Sequence, residues 1–184
     1  MSISVSTTEL LNYSAHERAK WRTWLLADPS RCQLPFQPGG RFPTIGAIFD
    51  HVFLVERRHL ARLEGGTPPE TTGVAAGDVQ ALFEYAALVR ADMARYVADL
   101  DEPRANETMT FNVQSVPGGV TMTRRKLLVH MLLHEIRHLA QAALAARAAG
   151  QAPPGEHDYF YCPDQAEDRK STRLNSSHVS ESRM

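Results

Sequence analysis

The sequence predicts an all-α fold, a four-helix bundle with one short β-hairpin before the last helix. Four segments carry apolar residues at helical spacing, and stretches rich in proline and glycine separate them. These segments do not alternate with strand-like runs, which argues against a doubly wound sheet. Helices of similar length joined by loops of moderate length favour a bundle.

The first two helices have clear sequence signals at their ends. The first is predicted over residues 8–27, with Thr7 or Thr8 as its cap, and Asp28-Pro29 ends it, because proline disfavours the helical conformation in the residue before it. Thr44 is suited to cap the second helix, which runs to residue 63. Gly65-Gly66 then supplies a C-terminal stop.

The second half of the chain contains the remaining two helices and the hairpin. The third helix starts around residue 78 and ends ahead of Pro103. Residues 108–121 combine a short extended stretch with a Pro-Gly-Gly turn, which predicts a small β-hairpin. Thr123 caps a long fourth helix, and Gly150 closes it after residue 149.

The chain is expected to form one domain over residues 1–167. Residues 168–184 are polar and rich in serine, with almost no apolar periodicity, so we expect them to be disordered. They also resemble translated adaptor or vector sequence. For both reasons this tail, which contains His178, is excluded from the prediction of fold and function.

Composition excludes several classes of function. A chain of 184 residues with a net charge of -1 lacks the basic excess that is typical of nucleic-acid binders. Its two cysteines, Cys32 and Cys162, are far apart and indicate neither a disulfide framework nor a thiolate metal site. The start of the chain has no secretory pattern, and no apolar run is long enough to cross a bilayer. We therefore expect a cytoplasmic protein with neither a nucleic-acid nor a membrane partner.

The fourth helix contains the residues that point to chemistry. His130, His134 and His138 are four residues apart, so they form one stripe, and Gln141 continues it. Apolar residues flank the stripe, so the imidazoles are expected to face the interior. Unpaired buried imidazoles are costly, and a shared metal ion removes that cost, since neutral imidazole is a good ligand. The alternative is that each histidine is a satisfied core residue.

A third ligand is expected from the second helix, because two ligands rarely hold a catalytic ion. His51 is the best candidate, since the residues at helical spacing around it are apolar. The other histidines are weaker candidates: His59 and His16 are expected at the surface, and His157 is expected on a loop.

Residues 134–138 also spell H-E-x-x-H, the motif that gives zincin peptidases two zinc ligands and a glutamate base. The context is poor for that class. Gln141 and Leu144 stand where the extended motif needs glycine and histidine, and the chain lacks a clear sheet to bind a peptide. Glu135 is expected either to approach a metal-bound water or, in the favoured interpretation, to be a surface carboxylate paired with Lys126 or Arg137.

Two signatures resemble the DinB-like family of four-helix-bundle metalloproteins, over about residues 8–150. One is the stretch 44–51, TIGAIFDH, with its continuation to residue 65. The other is residues 130–141, which are similar to the family motif H-x-x-x-H-x-x-x-H-R-G-Q. Matching by position implies His51, His134 and His138 as the ligands. The sequence departs from the motif at residues 139–140, where Leu-Ala replaces Arg-Gly, and His130 is expected to be a core residue or to lie behind the ligands.

The resemblance implies an up-down-down-up bundle, often dimeric, with the metal at one end. Members of that family include thiol-dependent transferases, a few hydrolases and isomerases, and many proteins without known activity. We therefore expect one divalent ion, zinc or nickel in first place and iron or manganese as alternatives. We also expect a small-molecule substrate, with a low-molecular-weight thiol as one candidate, and a homodimer.

Three hypotheses for function follow from these patterns. The first is a metal-dependent enzyme, a thiol-dependent transferase or a hydrolase, that keeps an open position on the metal. The second is a non-catalytic metal-binding or stress-response protein in which the ion closes the bundle. The third is the peptidase.

Overall fold

The chain is mostly helical in the computed structural model, which describes residues 6–37, 39–113 and 116–163. The described residues contain five α-helices and one two-stranded antiparallel sheet. In chain order the elements are α1 (Thr7–Ala27), α2 (Ile45–Glu64), α3 (Val79–Ala98), α4 (Glu102–Asn106), β1 (Thr108–Val113), β2 (Val116–Thr123) and α5 (Arg124–Ala148). The proposed tail at residues 168–184 and the domain boundary before it lie outside the described residues.

Most of the helix ends are fixed by the side chains that the sequence indicated. The Oγ1 atom of Thr44 accepts a hydrogen bond from the backbone of Ala47 at 3.2 Å, and that of Thr123 accepts one from Lys126 at 3.1 Å. Gly65 has a φ of 77°, a left-handed conformation that costs glycine little, and it ends α2. These predictions are confirmed.

Two helix boundaries differ from the prediction. Ser6, not Thr7 or Thr8, caps α1, and it forms a capping box with Glu9. The short helix α4 is not among the predicted helices, because the sequence prediction treats Pro103 as a stop signal. Proline is in fact favoured in the first turn of a helix, and Asp101 caps this one through the backbone N–H of Arg104.

The predicted hairpin is present, but the Pro-Gly-Gly segment expected in its turn, residues 117–119, lies within β2 instead. β1 pairs antiparallel with β2, with Thr108 opposite Thr123 and Phe111 opposite Val120. Phe111 and Met109 pack against an apolar cluster formed by α2, α3 and α5. The hairpin therefore covers the part of α2 and α5 where these two helices meet.

Each of α1, α2, α3 and α5 packs mainly against two of the others. α2 packs against α3 and α5, and α1 packs against α3 and α5. The buried apolar residues form two clusters. The larger one contains four aromatic side chains: Trp21, Phe49, Phe53 and Phe83. The smaller one contains mainly aliphatic side chains, among them Leu60, Met93, Leu127 and Leu132.

A network of buried charges lies between the two apolar clusters and joins these four helices. Arg18 of α1 bonds to Glu56 of α2 and Glu135 of α5, while Arg90 of α3 lies 2.7 Å from Glu135 and 3.1 Å from Glu56. The hydroxyl of Ser14 donates to Glu135. Glu56 and Glu135 are 4% and 2% exposed, so the network is shielded from solvent.

Arg18 and Glu135 stabilise each other's ionised forms. Burial alone would raise the pKa of Glu135, but Arg18 and Arg90 hold it below its ordinary value. Burial alone would lower the pKa of Arg18, yet Glu135 and Glu56 raise it. Burial and the nearby Arg18 lower the pKa of Arg90, against the effect of Glu56 and Glu135.

None of the helices in the described ranges combines the length and the apolar character needed to cross a membrane.

Replacing Glu135 by alanine should destabilise the fold strongly, because it leaves two buried guanidinium groups with one carboxylate between them. The expected loss is on the order of 3–5 kcal/mol in the free energy of unfolding, measured by urea denaturation. The control is Glu64→Ala, which removes a partly exposed carboxylate paired with Arg57 and should cost less than about 1 kcal/mol. Similar losses in the two variants would show that the network contributes nothing beyond a surface ion pair.

Candidate metal centre

The three histidines that the sequence singled out lie together where α2 meets α5. His134 and His138 are one turn apart on α5, and His51 faces them from α2. The ring centroids of His134 and His138 are 4.4 Å apart, and His51 lies 5.2 Å and 5.4 Å from them. Each ring offers one nitrogen, and the three nitrogens lie within 4.8 Å of one another. This cluster could hold a metal ion.

The spacing of the nitrogens fits an ion. The Nε2 atoms of His134 and His138 are 3.2 Å apart. Two nitrogens bound to a tetrahedral zinc ion at about 2.0–2.1 Å are separated by about 3.3 Å. This pair therefore already has close to the spacing that a shared ion requires, and the nitrogen of His51 lies within 4.8 Å of both.

Gln141 sets the tautomer of one ring. Its Oε1 atom lies 2.7 Å from Nδ1 of His138. Because an amide oxygen only accepts hydrogen bonds, Nδ1 carries the proton and Nε2 keeps its lone pair facing His134. Histidine ligands in metal sites are commonly held by such a partner on the other ring nitrogen. The sequence left the role of Gln141 open, and the structure assigns it this contact.

The cluster is uncharged at neutral pH. Burial, followed by the nearby His138, lowers the pKa of His51 to about 4 and that of His134 to about 3. Burial also lowers the pKa of His138, against the effect of its bond to Gln141. Neutral imidazoles have a lone pair free to bind a metal, so the donor set is in the required protonation state.

The surroundings of the cluster are aromatic and cationic. The ring of Phe42, from the loop before α2, lies 4.3 Å from that of His51. The Nη2 atom of Arg137 lies 3.4 Å from Nε2 of His138. His51 and His134 are half-buried, so the cluster lies at the edge of the core and not deep inside it.

Two further histidines lie close to the cluster, and the burial predicted for each of them is wrong. His130 is exposed, which contradicts its prediction as a core residue, and its ring lies 5.7 Å from that of His134. His59 was expected at the surface but is only 9% exposed. Other elements cover this ring, since Phe111 of the hairpin lies 6.1 Å from it and His130 of α5 lies 5.6 Å from it. The spacing of residues within α2 cannot predict burial of His59 by residues of other elements.

Glu135 is in neither of the two places expected for it. It is not a surface partner of Lys126 or Arg137, and it does not approach the histidines. Its carboxylate accepts hydrogen bonds from Ser14, Arg18 and Arg90 in the buried network. The H-E-x-x-H motif is thus divided between two sides of α5, with the histidines at the cluster and the glutamate in the core.

The remaining histidines take no part in the cluster. His16 is half-buried, where exposure was expected. His157 follows the Pro-rich break, as predicted, and its Nδ1 atom lies 2.6 Å from a carboxylate oxygen of the buried Glu17. Its ring stacks on Trp21 at a centroid distance of 5.6 Å, which ties residues after α5 to α1.

A cavity of about 770 Å³ opens elsewhere, between the start of α2 and the loop before α3. Cys32, Gly46, Asp50 and Val79 are among its lining residues, and the three histidines are not.

Comparison with known proteins identifies a family. The family model described as the DinB family matches residues 1–170. The search of curated proteins gave no match to this chain.

Removing the Gln141 contact should weaken metal binding without removing a ligand. In Gln141→Leu the Nδ1 proton of His138 loses its acceptor, and the zinc dissociation constant should rise by about 10-fold to 100-fold, measured by competition with a chromogenic chelator. Gln80→Leu on α3 removes an amide that contacts Arg22 and Glu84 and should leave the constant unchanged. Equal zinc affinity in Gln141→Leu and the parent would contradict the assigned contact.

Proposed function

This chain belongs to the DinB family, and from that premise and its histidine cluster we propose that it is a metal-dependent enzyme, a thiol-dependent transferase or a hydrolase. It binds one divalent ion, zinc or nickel before iron or manganese, through His51, His134 and His138. One observation supports this most directly: three neutral imidazoles converge within 4.8 Å with no fourth side chain completing the set among the described residues.

The residues of the chain would prepare the site in three ways. Gln141 holds the His138 ring with its Nε2 lone pair facing the cluster. Phe42 covers one side of His51 and limits the access of water. The exposed Arg137 has to move away from Nε2 of His138 when an ion binds. Its positive charge then lies at the entrance to the metal site.

A divalent ion held by three imidazoles would supply Lewis acidity to a fourth ligand, lowering the pKa of a water or a thiol there. The substrate is therefore proposed to be a small molecule, with a low-molecular-weight thiol as one candidate. We also propose that α1, α2, α3 and α5 form the up-down-down-up bundle of the family. The expected homodimer stays a prediction.

The peptidase hypothesis loses its support from the position of Glu135. A zincin glutamate acts on the water at the metal, whereas this carboxylate is bound by Arg18 and Arg90 in the core. We do not propose this function.

A non-catalytic metal-binding protein is the second candidate, and a specific observation favours it. The 770 Å³ cavity is not lined by the three histidines. In this alternative the ion only ties α2 to α5.

Metal content tests the proposal. The purified chain should contain about one divalent ion per molecule by elemental analysis, and the variant His134→Ala, His138→Ala should contain none. His16→Ala, which removes a histidine of α1 outside the cluster, should retain the ion.

A second measurement separates the two candidates. In the cobalt-loaded protein, adding a low-molecular-weight thiol should change the visible absorption spectrum if the ion has an open position, and assays of thiol transfer and ester hydrolysis should then detect turnover. An ion whose spectrum does not respond to thiol, with no turnover, supports the structural candidate. A metal-free parent that is not stabilised by zinc, nickel or manganese contradicts both.

A further inference from the structure

The three-histidine cluster is one end of a longer row of imidazoles. From the cluster the row continues to His130, 5.7 Å from His134, and then to His59, 5.6 Å further on between ring centroids. We call this set, with His51 and His138, the histidine row. An aromatic ring stands at each end: Phe42 beside His51, and Phe111 beside His59.

An arginine lies over each of these aromatic rings. The guanidinium carbon of Arg41 lies 5.2 Å from the centroid of the Phe42 ring, and that of Arg62 lies 5.0 Å from the centroid of Phe111. Arginine stacked on an aromatic face is held in place while its N–H groups remain available for other partners. Each end of the row therefore has an apolar aromatic ring and, over that ring, a guanidinium group.

Two more arginines lie close to the row. Arg137 contacts His138, and Arg58 donates to the backbone carbonyls of Pro69 and Glu70 at 2.7 Å and 2.5 Å. Carbonyl groups orient a guanidinium without cancelling its charge. None of the four arginines forms a salt bridge with a residue in the described ranges, whereas Arg18, Arg57, Arg90, Arg95, Arg124 and Arg125 all do.

The electrostatic field along the row is accordingly positive. The charged neighbours that depress the pKa of His51 include Arg41, Arg58 and Arg137, and those that depress the pKa of His59 include Arg62 and Arg58, in each case after burial. Arginines and other histidines are the charged neighbours with the largest effects on the pKa values of the five histidines. Four arginines without a described carboxylate partner give this site a positive potential, which an anion would offset.

The far end of the row is suited to an anion and not to a second metal ion. The Nη1 atom of Arg62 lies 3.2 Å from Nδ1 of His59. Because arginine only donates hydrogen bonds, Nδ1 is an acceptor and the proton of the neutral ring sits on Nε2. A metal ion that binds His59 would have to change this tautomer, and it would lie beside the positive charge of Arg62.

We propose that the histidine row binds a small-molecule substrate with an anionic group, a carboxylate or a phosphate. Arg62 and His130 hold that group, and the reacting end of the substrate lies at the cluster of His51, His134 and His138, with Arg137 beside it. This inference rests on the proposed function and names the substrate class for the same site. The whole chain has a net charge of -1, so the positive charge is local to this site. A local positive charge is suited to a small anion and not to a polyanion.

The test uses the zinc-loaded full chain after removal of free zinc, titrated by calorimetry with succinate, inorganic phosphate and the neutral succinamide. We expect saturable binding of an anion and none of succinamide. Tighter binding of succinate identifies the group as a carboxylate, and tighter binding of phosphate identifies it as a phosphate. Both anions should bind more weakly as ionic strength rises.

The variants assign this binding to the arginines. Arg62→Gln and Arg137→Gln should each raise the dissociation constant of the preferred anion by about fivefold or more. Arg62→Lys keeps the charge and should retain most of the affinity. Arg147→Gln removes an equal charge from the same helix, about 14 Å beyond His138 along the axis, and should leave the constant unchanged. Circular dichroism and Tm verify that each variant folds.

Different results would overturn this inference and the proposed function. One ion per chain, with no anion binding or with the same anion affinity in Arg62→Gln, Arg137→Gln and the parent, overturns the inference and leaves the metal site standing. If the chain holds no metal, the titration is made on the metal-free protein. Anion binding that depends on Arg62 then supports an anion site without the metal chemistry, and its absence overturns both.

Discussion

The buried network of two arginines and two glutamates is the constraint on which the rest of this structure depends. Arg18, Arg90, Glu56 and Glu135 come from four different helices and meet between two apolar clusters. Leaving a buried charge without its partner costs about 3–5 kcal/mol. Rotation or sliding of any one of these helices would break a charge pair, so the network sets their mutual register.

That register places the candidate metal centre. Glu135 directly follows His134 in the sequence, and successive residues of a helix point about 100° apart. Binding of Glu135 by Arg18 and Arg90 turns the adjacent flank of α5 toward α2, where His134 and His138 meet His51. The network thus has a positional role for the cluster, although none of its charged groups contacts the histidines. The positive field at the cluster comes instead from arginines that carbonyl groups and aromatic rings orient without neutralising.

Much of this arrangement could be predicted from the sequence because it depends on spacing within one helix. The pairing of His134 with His138 follows from a separation of four residues, and capping side chains fixed most of the helix ends. The position of Glu135 was missed, although it shares the helical spacing of the buried Leu132 and Leu139, which was a usable signal. The burial of His59 could not be predicted, because its cover comes from the hairpin, which is distant in the chain.

X-ray absorption at the zinc edge of the zinc-loaded protein is the most direct test of a three-histidine metal centre. We expect three imidazole nitrogens at about 2.0–2.1 Å and one exchangeable oxygen ligand from water, with one imidazole fewer in His51→Ala. A first shell that contains sulfur, or one dominated by carboxylate oxygen and unchanged in His51→Ala, would place the ion elsewhere and contradict the claim.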